Sequence, residues 1–189
     1  MTDVLFPYPA ADSEPVLAAT RLWLERAVIG LNLCPFAKSV FVKKQVRYAL
    51  SAATTADELL AELEKELALL AATEAAQLDT TLLIHPQVMT DFLDYHFFLA
   101  EADALLRNNG YDGVFQIASL HPQYEFAGSD PDDVANYTNR APYPMLHLLR
   151  ESSIDRAVAA FPDAADIFER NIETLEKLGH EGWRKLWLG

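Results

Sequence analysis

Two apolar runs in this chain end in the same dipeptide. Residues 80–86 read TTLLIHP and residues 113–122 read GVFQIASLHP. Each run is short, apolar almost throughout and closed by a proline, which has no amide hydrogen to give to a sheet. A third run over residues 46–51, VRYALS, has the same character. Between these runs lie two long stretches with helical patterning. One opens on the capping box Thr55-x-x-Glu58 and continues Leu/Ala/Glu-rich to about residue 76. The other covers residues 91–109 and stops at Gly110. Strand, helix, strand, helix, strand at this spacing predicts two βαβ units and a small parallel sheet of three strands, open to extension. The strands are continuous apolar runs rather than alternating ones, which implies helices on both faces.

The covering layers are legible as well. Residues 1–12 form a proline-containing arm. A helix opens near Ser13 or Glu14, with Pro15 in its first turn, and ends near Asn32 or Leu33, because Pro35 disfavours helical geometry at Cys34. Late in the chain, Pro144 is placed to open a helix to about Glu151. A second helix follows near residues 153–161, and Pro162 opens a third that runs to Leu178 and stops at Gly179. The tail from 180 to 189 carries Trp183 and Trp187. The whole reads as one α/β domain, 1–189, with a C-terminal helical segment.

The chain has 189 residues, 51% of them hydrophobic, and a formal net charge of −13. That length buries a core without staples. Lysine and arginine do not cluster, which argues against nucleic acid and against an anionic membrane surface as partners. The N-terminus has no basic segment leading into an apolar run, so no signal peptide is expected. No stretch reaches the ~20 apolar residues needed to span a bilayer. Cys34 is the only cysteine, so no intrachain disulfide can form. Cytoplasmic residence is the expectation.

If the strands are parallel, His85 and His121 lie at one edge of the sheet, outside the carboxyl ends of the strands, where open α/β sheets bind ligands. They are candidates for acid/base work or for holding a divalent metal. The alternative is a pair of strand-end imidazoles bonded to backbone carbonyls. The polar loop from 121 to 143 is too long to be a simple connection, and its tyrosines argue for order. Asn136, Asn139, Arg140 and Tyr143 on it are candidate contacts for a small anionic molecule, or fasteners of the loop itself. His147 and Arg150 lie three apart, on one face of the helix that Pro144 would open. Cys34 in NLCPFAK is either the end of the first helix, with thiolate disfavoured, or the N-cap of a new turn, with thiolate favoured. No nucleotide-cofactor, zinc-protease or hydrolase motif is present.

The segments NLCPFAK, TTLLIHP, GVFQIASLHPQYEFAG and NYTNRAPYPMLHLLRE resemble the uncharacterised, mainly bacterial domain-of-unknown-function family 1415, from about Thr20 to Ile154. The resemblance implies a single-domain cytosolic protein and no catalytic roles. Three functions fit the residues. One is a small-molecule enzyme built on His85, His121, Asn139, Arg140 and Arg150, with or without metal. Another is a binding or assembly module with structural histidines. The third is a thiol enzyme or redox protein that uses Cys34 with His121 or His147.

Overall fold

The computed structural model describes residues 13–160 and 166–188. The arm expected over residues 1–12, and Pro162 as the opener of the last helix, lie outside them.

Four strands make one sheet in the order β1-β2-β4-β3, with β1 Val46–Leu50, β2 Thr80–Ile84, β3 Phe115–Leu120 and β4 Met145–Arg150. β1 pairs parallel to β2, and β4 pairs antiparallel to both β2 and β3. The three expected strands therefore share one direction. The sheet is nevertheless mixed, because a fourth strand is threaded antiparallel between β2 and β3.

That fourth strand corrects the helix expected after Pro144. Residues 145–150, MLHLLR, carry leucine and methionine behind a proline, a combination that suits a helix start. In the fold they fill the gap between two strands, and Met145, Leu146 and Leu148 are fully buried. A strand covered on both faces loses its period-two alternation, so its local pattern cannot distinguish it from a helix. His147 and Arg150 consequently do not share a face. They are an odd number of residues apart on a strand and point to opposite sides of the sheet.

The helices are α1 Ser13–Trp23, continued by a π-helical segment Leu24–Ile29, then α2 Ala37–Val42, α3 Ala56–Ala72, α4 Phe92–Asn108, α5 Glu151–Ala159 and α6 Ile167–Lys185. Gly179 interrupts α6 with φ 62°, a left-handed backbone that favours glycine. The helix resumes beyond it and brings Trp183 flat onto Tyr137, with ring centroids 4.4 Å apart.

The core falls into two clusters, one on each face of the sheet. On the first, α3 and α4 pack Leu59, Leu63, Leu67, Tyr95 and Phe98 against Leu83, Phe115, Leu146 and Leu148. On the second, Trp23, Leu24, Leu33, Leu175 and Trp183 meet Leu50, Leu82, Ile84, Leu120 and Met145.

Candidate functional site

His85 and His121 do lie at the same edge of the sheet, as the shared direction of β2 and β3 requires. Both are fully buried, and both rings contact Tyr95 of α4, at centroid distances of 5.8 and 5.1 Å. His85 Nδ1 lies 3.0 Å from the Val88 carbonyl, which can only accept, so Nδ1 carries the proton. Its Nε2 is buried and has no hydrogen-bond partner among the described residues. His121 Nδ1 accepts from the Gln123 amide at 3.0 Å, and its Nε2 faces the Met89 carbonyl at 3.3 Å. Burial pushes the His85 pKa down to about 4 and lowers that of His121. Tyr95 sits between them with its hydroxyl donating to the Met145 carbonyl and accepting from the Leu120 amide. The two imidazoles thus pin the 85–91 and 121–124 turns onto α4. Among the described residues, no group of three His, Cys, Asp or Glu side chains is placed to hold a metal ion.

The loop residues fasten the loop. Asn136 is fully buried; its Oδ1 accepts from the Phe126 amide and the Ser129 hydroxyl, and its Nδ2 donates to the Asp130 carbonyl. Arg140 donates to the carbonyls of Tyr124 and Pro131, and its guanidinium lies over the Tyr137 ring. Tyr143 packs against the second core cluster. Arg150 lines the cavity described below and reaches to the C-terminal end of α3, where it donates to the carbonyls of Leu70 and Thr73, and to that of Leu78 in the link before β2. It supplies the donors that the last turn of a helix lacks. Both guanidiniums are committed to backbone carbonyls.

The remaining candidates come together elsewhere. A cavity of about 800 Å³ opens on the second face of the sheet, bounded by the π-helical segment, α2 and α5, and Cys34, Asn139 and His147 all line it. His147 sits on β4 opposite Ala118 and alternates with Leu146 and Leu148, so its ring projects to this side. It is half-buried, and burial pushes its pKa down to about 4. Cys34 is half-buried too, at the start of the turn that leads into α2. The amides of Phe36 and Ala37 hydrogen-bond to its thiol, the N-cap geometry that lowers a thiol pKa, but burial outweighs them and pushes the pKa up. The sheet therefore divides the expected single site. His85 and His121 serve the α4 side, while Cys34, Asn139, His147 and Arg150 line the cavity.

These features are carried on segments that match a known family over residues 15–185. The chain belongs to the family described as protein of unknown function (DUF1415). No curated protein and no solved structure matches it. Membership in DUF1415 therefore assigns no chemistry to the cavity, and its meaning has to come from the side chains.

Two residues essential to the cavity's character were not singled out from the sequence. Thr80 opens β2 and bonds His147 across the sheet, and Trp23 forms part of the wall. A hydroxyl residue at the head of an apolar strand was the available signal for the first. Nothing local marked the second, whose neighbours in the cavity come from far along the chain.

Proposed function

We propose that this chain binds a small, largely apolar molecule in the cavity on the second face of its sheet. The observation that carries the reading is the cavity. Its volume is about 800 Å³, its walls include Trp23, Leu24, Val28, Leu82, Leu120 and Leu149, and polar and charged groups, among them Asp79, Asn139, His147 and Arg150, interrupt them. Ligand sites typically occupy ~300–1,000 Å³ with apolar walls and placed polar groups. The histidine pair at the sheet edge supports a structural role instead, because both rings are enclosed and hydrogen-bonded to backbone.

The test fills the cavity from its sheet side. Ala118 lines it beside His147 and is only half-buried, so Ala118→Phe projects a ring into the space. A neutral aliphatic probe such as 1-octanol should perturb tryptophan fluorescence in the wild type through Trp23 and leave a folded Ala118→Phe variant unchanged. An unresponsive wild type, or a variant that still binds, would remove this reading.

A second reading, a working thiol, is favoured by the placement of Cys34 on the same wall system as His147. The pH dependence of iodoacetamide alkylation decides it. An apparent pKa below the ~8.5 of a free thiol supports thiol chemistry, and one above it leaves Cys34 as wall.

A further inference from the structure

Resting on the cavity reading above, we infer that the ligand is an uncharged molecule that donates a hydrogen bond to His147 Nδ1. Thr80 Oγ1 lies 2.7 Å from the Leu148 carbonyl and 2.7 Å from His147 Nε2. A carbonyl only accepts, so the single hydroxyl proton of Thr80 goes to Leu148. His147 Nε2 must then donate to Thr80, and a neutral imidazole with its proton on Nε2 presents Nδ1 as a bare acceptor. Nδ1 has no hydrogen-bond partner among the described residues, and the ring lines the cavity. Asn139 spends one side-chain N–H on the Ser119 carbonyl at 3.0 Å and keeps a second N–H and Oδ1, so it can give or accept, as can Thr138 and Gln116. His147 is thus the lining group whose role the surrounding bonds determine, and it is an acceptor. Of the charged side chains that line the cavity, Arg150 is bonded to backbone carbonyls, Asp79 to the Ser153 hydroxyl, and Lys43 and Arg156 are exposed. At His147 itself an anionic head would meet a lone pair. A hydroxyl or amide N–H would pair with this acceptor, which an ether oxygen or a carboxylate cannot do.

The test compares three probes of nearly equal length on the full chain at neutral pH: 1-octanol, methyl heptyl ether and octanoate, read by calorimetry. The wild type should bind the alcohol about fivefold to tenfold more tightly than the ether, the worth of one net hydrogen bond, and octanoate more weakly than either. His147→Leu should keep ether binding and lose the preference for the alcohol. Thr80→Val, nearly isosteric, frees the imidazole to move its proton to Nδ1 and should shrink the preference while the ring remains. Circular dichroism reports the fold of both variants. Ether or octanoate binding as well as the alcohol, or a preference that survives in His147→Leu and Thr80→Val, overturns the donor assignment and leaves the cavity reading standing. No binding by any of the three overturns both.

Discussion

A buried imidazole is tolerated only while it is neutral. His85 and His147 both have folded-state pKa values pushed down to about 4 by burial, whereas an exposed histidine titrates near 6.5. Between those values the unfolded chain takes up protons that the folded chain refuses. Stability is therefore fully present above about pH 6.5 and falls as pH drops toward 4, by a few kcal/mol from these two rings together. Urea titrations at pH 7 and pH 5 should show the lower midpoint at pH 5, and a His147→Leu background should flatten the difference. An unchanged midpoint would mean that neither ring resists protonation in the fold. Arg150 belongs at the same scale. Replacing it by methionine keeps the stem over Phe115 but removes its donors to the carbonyls of Leu70, Thr73 and Leu78. A loss of ~2–3 kcal/mol is expected in denaturant titrations.

The elements divide into those whose ends and periods are local and those fixed by neighbours. α3 is of the first kind. Thr55 accepts from the Glu58 amide, and the Glu58 carboxylate returns bonds to the amides of Thr54 and Thr55, which holds its own pKa below the usual carboxylate value. Thr55→Ala should cost ~1 kcal/mol by thermal or chemical denaturation. This element, like α4 with its Asp91 cap and the two strands before His85 and His121, was legible because caps, breakers and apolar runs are written within a few residues of each other. β4 is of the second kind. Its strand geometry comes from β2 and β3 on either side, and no pattern inside MLHLLR records them. The site followed the same division. The shared edge of His85 and His121 could be read from two matching strand ends. Which face of the sheet each candidate serves could not, because that depends on the strand between them. A fastening role for the polar loop residues was one of two readings open in the sequence; their partners, backbone groups and the Ser129 hydroxyl for Asn136 and backbone carbonyls for Arg140, were not legible. Glu66, buried on α3 and paired to Arg47 of β1 at 2.7 Å, is a further contact that links elements across the first face. Glu66→Ala should cost ~1.5–3 kcal/mol, the worth of the charged hydrogen bonds its carboxylate accepts from Arg47.

On the scale of the whole molecule, the sheet is assembled out of chain order. β1, β2 and β3 are complete by residue 120, yet β2 and β3 do not touch; the strand that joins them is supplied by residues 145–150. A chain growing from its N-terminus therefore carries two strands with an open slot between them until that segment emerges. Unpaired strand edges are templates for pairing with other chains, so this interval is one of exposure to aggregation. Chains cut after residue 144 should be collapsed and aggregation-prone, whereas chains cut after residue 160 should already protect the amides of β2 from hydrogen exchange. Synthesis on the ribosome thus has a late commitment point, set by the threading of one central strand rather than by the length of the chain.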